Sequence, residues 1–188
     1  MTRREVQFGL GDLAATMADL VASDSEAADD RGGLPRAPSG ATAYVHVGQI
    51  YASASPKLVS TILGSCVSVC LWDHEVGVGG LNHFLLPQCV TNGVSSPRFG
   101  TVAIRDLLAE VHRLGGARHR LQAKVFGGAS VIDAFQASNG SLGMQNVSLA
   151  RRFLADAGIP IVNEDTGGTQ GRKLVFRTSD GSAWVRHI

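Results

Sequence analysis

The stretch LGSCVSVCLWDHEVGVGGLNHFLLP, residues 63–87, carries the two side chains best suited to nucleophilic chemistry, the Cys66 thiol and the His83 imidazole. A thiol with a pKa of about 8.5 is mostly protonated at neutral pH, and an adjacent imidazole lowers that value or takes the proton during attack. The sulfur then adds to a carbonyl carbon, and the imidazolium returns the proton to the leaving group. A third residue holds the imidazole in one tautomer. Ser60 and Thr61, on the preceding extended run, are the nearest hydroxyl candidates. Backbone N–H groups around Gly64, Ser65 and Cys66 are the candidate oxyanion donors, because glycine lets the chain turn tightly enough to aim them.

Positioning depends on a hairpin. With a two-residue turn at His74-Glu75, Asp73 pairs with Val76 and Cys66 falls opposite His83. Directly opposed residues have Cβ atoms about 4.5–5.5 Å apart. A four-residue loop, His74 to Gly77, shifts the pairing by two and keeps His83 on the same face, whereas a three-residue loop flips it. Two other readings of the same residues stand beside this one. A single cysteine and a single histidine in strands are more often structural than catalytic. Cys66, Cys70, His74 and His83 are also potential zinc ligands, but they lack the short C-x-x-C spacing of a zinc knuckle, and no metal is expected. Cys70 and Cys89 read as core and loop residues.

Around this hairpin the pattern is α+β. TAYVHVGQIYAS alternates as a strand, PKLVSTIL and CVSVCLWD are further extended runs, and VGGLNHFLLP closes at Pro87. Residues 101–114 form a helix with Ile104, Leu107, Leu108, Val111 and Leu114 in one stripe and Gly115 at C′. LQAKVF is a strand followed by the turn GGAS. Asn146 is placed as the N-cap of a second helix bearing Leu149, Phe153, Leu154 and Ala157. Residues 159–162 form a short strand, and KLVFRTSDGSAWVRHI is a hairpin turning at Asp180-Gly181. Most strands are then antiparallel, with two main helices laid on the sheet.

The first 40 residues have a different character: a short amphipathic stretch, then SDSEAADDRGGLPRAPSG, which reads as a flexible extension before a domain spanning 41–188. Across all 188 residues the hydrophobic fraction is 44% and the charged fraction 18%, a globular composition. A formal net charge of +1 gives no pointer to nucleic acid or a membrane surface. No apolar run approaches the ~20 residues of a membrane span. Three cysteines, an odd number, together with the lack of an export signal point to a reduced, cytoplasmic setting. VFGGAS and DTGGTQGRK do not match a P-loop; Gly127-Gly128 and Gly167-Gly168 read as turns with positive φ. Arg172 and Lys173 are placed to meet an acidic partner, or Asp165 and Thr166 to hold that loop by local bonds.

LGSCVSVCLWD, GGLNHFLLP, RFGTVAIRDLL, AKVFGGAS and DTGGTQGRKLVF, followed by a G-x-x-W-V hairpin, together resemble the chemoreceptor glutamine deamidase (CheD) family from about Val45 to Ile188. The resemblance implies a layered α/β/β sandwich and a protein-glutamine glutaminase activity. Selected glutamines of methyl-accepting chemoreceptors would be hydrolysed to glutamate and ammonia through a cysteine thioester, without a cofactor. It also implies methylesterase activity in some members, and pairing of some with a CheC-type phosphatase, so a non-catalytic regulator of such a phosphatase is the alternative. The family nucleophile falls on Cys66 and the base on His83. The third position, a threonine in the family, holds Ser60 here with Thr61 beside it. Arg98, Phe99 and the loop at Thr166, Gly167 and Gly168 are the candidate substrate surface.

Overall fold

Strand β4 (Val67–Asp73) is buried at every residue, and its alternation explains why. Val67, Val69 and Leu71 pack toward the helices, while Cys70 and Trp72 pack into a second core on the other side. A strand covered on both faces must lie in the middle layer. The computed structural model describes residues 43–88, 95–130, 136–137 and 140–188. The expected N-terminal extension and Cys89 lie outside these residues.

The middle layer is a five-stranded sheet in the order β2 (Gln49–Ser53), β5 (Val78–His83), β4, β6 (Leu121–Gly127), β9 (Ile161–Thr166). Its pairs are antiparallel except β6 with β9. The outer layer is a four-stranded sheet in the order β1 (Ala43–Tyr44), β3 (Leu58–Leu63), β10 (Arg172–Arg177), β11 (Ala183–His187). A short hairpin, β7 (Gln136–Ala137) with β8 (Gly140–Ser141), stands apart. Helices α1 (Gly100–Arg113) and α2 (Leu142–Asp156) form the third layer. The result is an α+β sandwich of mostly antiparallel strands, with the α/β/β layering that the family resemblance implies.

Two cores hold the layers. Ala103, Ile104, Leu107 and Val111 of α1, with Val147, Ala150 and Leu154 of α2, cover one face of the middle sheet. Val59, Leu63, Cys70, Trp72, Leu81, Phe126, Leu174 and Phe176 fill the space between the sheets. Each fully buried aliphatic or aromatic side chain contributes about 1.5–3 kcal/mol relative to exposure.

Three local expectations are corrected and one open alternative is decided. TAYVHVGQIYAS is not one strand: β1 and β2 belong to different sheets, and the chain crosses between them through a turn at Gly48, whose φ is +78°. Its residue types alternate evenly through the crossing, but the burial does not: Val45 is buried, while Val47 is exposed. The β4–β5 connection is the four-residue loop, with Asp73 paired to Val78. Asn146 lies inside α2 and is fully buried, while Ser141 is the N-cap and accepts from Met144 N at 3.4 Å. The strand expected at 159–162 runs instead from Ile161 to Thr166.

Candidate active site

The inner face of β3 carries Val59, Thr61 and Leu63, all fully buried, whereas Ile62 is 46% exposed. Period-two alternation therefore sends Thr61 between the sheets and Ser60 to the other side, where its Oγ reaches Ala43 O at 3.5 Å. Thr61 Oγ1 lies 2.8 Å from His83 Nδ1. The same hydroxyl donates to Val45 O at 2.8 Å. A hydroxyl has one proton, and the carbonyl can only accept it. Thr61 must therefore accept from His83, so Nδ1 carries the imidazole proton, with Val45 O at 3.4 Å as a further acceptor. Nε2 is left as the basic nitrogen. It is buried and has no hydrogen-bond partner among the described residues. Burial pushes the His83 pKa below its ordinary value; the Val45 carbonyl opposes that shift and the nearby His46 adds to it.

Cys66 precedes β4 and is half-buried against the inter-sheet core. The hairpin ladder runs from Asp73–Val78 to Cys70–Leu81 and is continued by a bridge between Val67 and Phe84. In that register Ser68 opposes His83, and Cys66 is its diagonal neighbour on the same face. Diagonal partners sit about 7–8 Å apart and remain within reach of long side chains. The directly opposed pairing expected from a two-residue turn is thus replaced by a diagonal one. Burial raises the Cys66 pKa, opposed by its own backbone N–H. Both shifts disfavour charge, so the resting pair is a thiol and a neutral imidazole. Cys70, completely buried in β4, has its thiol pKa driven far up by burial.

The turn that presents Cys66 is held through its carbonyls. Ala129 N donates to Gly64 O at 2.8 Å and Gly128 N to Cys66 O at 2.9 Å. Asn146 Nδ2 donates to Ser65 O at 3.1 Å. Gly127 and Gly128, at φ +107° and +73°, make the neighbouring turn close enough for these bonds. A Cβ on Gly127 would collide with Cys66 O.

The second glycine pair rests on this turn. Gly167 N donates to Gly127 O at 2.9 Å, and Ser130 N donates to Gly168 O at 2.8 Å. Thr166 Oγ1 accepts from Arg151 at 3.4 Å. Arg172 does not face solvent: it is 2% exposed and holds Asp165 at 2.9 Å and Gly167 O at 2.7 Å. The expectation that it meets an acidic partner is corrected to a loop anchor. Buried as it is, its guanidinium is satisfied by the loop's own carboxylate and by the carbonyls of Gly167 and Gln170.

Arg98 is exposed and its stem covers Gly48, whose N–H donates to His83 O at 2.7 Å. Phe99 lines a groove of about 600 Å³ with Leu86, Pro87, Met144 and Arg152. Met144 also touches the space beside Gly167, so the groove and the Thr166–Gly168 loop adjoin. No cluster of three or more His, Cys, Asp or Glu side chains is disposed around a metal position among the described residues.

A family model described as CheD chemotactic sensory transduction matches residues 85–187. The chain belongs to the CheD family. It is 50% identical over 167 residues to a CheD 1 of Anaeromyxobacter dehalogenans (strain 2CP-C), covering 89% of this chain and 96% of the relative, which is named a probable chemoreceptor glutamine deamidase. Relatives with that name occur in Sulfurimonas denitrificans (strain ATCC 33889 / DSM 1251), 38% identical over 77% of this chain and 93% of the relative, and in Sinorhizobium medicae (strain WSM419), 44% identical over 77% and 79%. Two features of this CheD chain escape sequence reasoning. The Val45 carbonyl looks like an ordinary ladder acceptor until the crossing to β2 is known. Asn146 carried a signal, since it shares the helix face of Leu149, Ala150 and Phe153.

Proposed function

We propose that this chain hydrolyses glutamine side chains of chemoreceptors to glutamate and ammonia, with Cys66 as nucleophile, His83 as base and Thr61 as the residue that orients the imidazole. The observation that carries this reading is the relay from Val45 O through Thr61 to His83 Nδ1, both links 2.8 Å, which leaves Nε2 basic on the face shared with Cys66. The family and the names of the relatives supply the substrate class.

The reaction is acyl transfer. As Cys66 Sγ attacks the carboxamide carbon, His83 Nε2 takes the thiol proton, so charge develops only in the transition state. The carbonyls of Gly64 and Ser65 are drawn toward Ala129 and Asn146. A trans peptide sets each following N–H opposite its carbonyl, so the N–H groups of Ser65 and Cys66 point the other way, as an oxyanion site requires. Imidazolium protonates the departing ammonia, leaving a glutamyl thioester. His83 then deprotonates water, which attacks the thioester, releases glutamate and restores the thiol. Thr61 keeps Nδ1–H directed inward throughout both half-reactions. The groove beside Phe99 and the loop at Thr166–Gly168 form the surface that receives the receptor helix.

Chemoreceptor cytoplasmic fragments incubated with the purified protein test this directly. Peptide mass spectrometry should find particular glutamines converted to glutamate with release of ammonia; unchanged glutamines across a panel of receptors would sink the assignment.

A further inference from the structure

The β4–β5 ladder ends at the Val67–Phe84 bridge, just where the nucleophile and base strands part. Beyond it lie two carbonyls, Ser65 O and Leu85 O, and both are taken by one side chain. Asn146 Nδ2 donates to Leu85 O at 2.9 Å and to Ser65 O at 3.1 Å. Two carbonyl acceptors require the NH₂ end of the amide, so its orientation is forced. Asn146 is fully buried on α2, and its Oδ1 has no hydrogen-bond partner among the described residues. A buried amide whose two donor hydrogens go to carbonyls of two different segments fixes both segments relative to α2. The helix is itself fixed: Gly143 packs directly on Gly128, with no room for a Cβ on either.

We propose that Asn146 is a positioning residue, which clamps the Ser65–Cys66 peptide to the end of β5 so that the Cys66 N–H is held at the oxyanion. This rests on the deamidase reading above. One donor hydrogen pulls Ser65 O toward α2, and peptide planarity then aims Cys66 N–H away from α2. The other donor takes Leu85 O, just past the Val67–Phe84 bridge that already ties the two strands, and so anchors the clamp to the end of β5. Without the amide the peptide between Ser65 and Cys66 can rotate, and the oxyanion donor is lost while the thiol and imidazole remain.

That distinction is measurable. Iodoacetamide alkylation is displacement at a saturated carbon and forms no oxyanion, whereas deamidation does. Asn146→Ala should lower kcat on receptor fragments on the order of 100-fold, leave KM near the wild-type value, and leave the rate and pH profile of Cys66 alkylation unchanged. Leu154→Ala, a cavity at a fully buried position of the same helix away from the groove, serves as the stability control and should keep kcat near wild type at a temperature where both variants are folded. If Asn146→Ala does not fold, Asn146→Gln, with its amide displaced by one methylene, carries the same readouts. The inference is overturned if kcat is retained, or if alkylation falls in parallel with kcat. A wild-type protein that deamidates nothing would instead overturn the reading beneath it.

Discussion

At the residue scale the chemistry turns on where three protons sit. Thr61 gives its proton to Val45 O, His83 gives its Nδ1 proton to Thr61, and Cys66 keeps its own at rest because burial disfavours thiolate and imidazolium alike. Thr61→Val removes the nearer acceptor for Nδ1–H, leaving only the longer contact to Val45 O, with little change in shape. It should lower kcat on the order of 100-fold, while Ser60→Ala, on the outward side of β3, should leave kcat near wild type. A steady-state comparison of the two decides between the hydroxyls. The pH dependence has a definite sign. Because the folded His83 pKa is lowered, the ring remains neutral below the ordinary midpoint of about 6.5. The acid limb of kcat/KM should therefore fall below that pH. Alkylation of Cys66, read on its own peptide, should rise with a midpoint above the ordinary thiol value; a midpoint well below it would show a preformed ion pair instead.

At the element scale, the site is the meeting of three glycine-bearing turns, at residues 64–66, 127–129 and 167–168, stacked by backbone bonds from one to the next. Gly127→Ala would place a methyl group against Cys66 O at a backbone φ of +107°. It should destabilise the fold by more than about 1 kcal/mol and reduce kcat further than the stability loss explains, measurable by chemical denaturation beside steady-state kinetics. How far the sequence reveals these elements depends on periodicity. The apolar stripe of α1 and the alternation in β4 are regular, so their buried faces are legible, whereas the common face of Cys66 and His83 depends on the length of the loop between their strands. The choice between Ser60 and Thr61 was not, because it depends on which side of β3 meets the second sheet. The broken strand at 43–53 escaped because Tyr44, Val45, His46 and Val47 alternate by type, although Val47 is exposed at the crossing. Asn146 was misplaced at a helix end because asparagine is favoured there; only its contacts with Ser65 and Leu85 explain a buried amide within α2.

At the scale of the whole molecule, a largely aliphatic core on the helix side and a core with Trp72, Phe126 and Phe176 between the sheets clamp the middle sheet, and an ion pair pins its far end. Asp73 is fully buried and is held by Arg120 at 2.8 Å, by Ala117 N at 2.9 Å and by Glu75 N at 3.1 Å. Burial alone would raise its pKa, but the Arg120 and backbone bonds outweigh it and bring the value down to about 2. A depressed carboxylate pKa contributes stability that is present above the unfolded value of about 3.9 and is lost as pH falls through the folded one. The contribution is about 2 kcal/mol, and acid unfolding should show it between about pH 4 and pH 2. Asp73→Ala leaves the Ala117 and Glu75 N–H groups without this acceptor, while Arg120 keeps Glu75 at 3.2 Å, and should cost about 1–3 kcal/mol, seen as a lowered Tm. The account as a whole stands on the sulfur of Cys66. The most direct measurement is the rate of glutamine-to-glutamate conversion on a chemoreceptor fragment by Cys66→Ala beside the wild type, with both shown to be folded. Conversion by the wild type and none by the variant is the predicted result; conversion by the variant at a rate near wild type would contradict it.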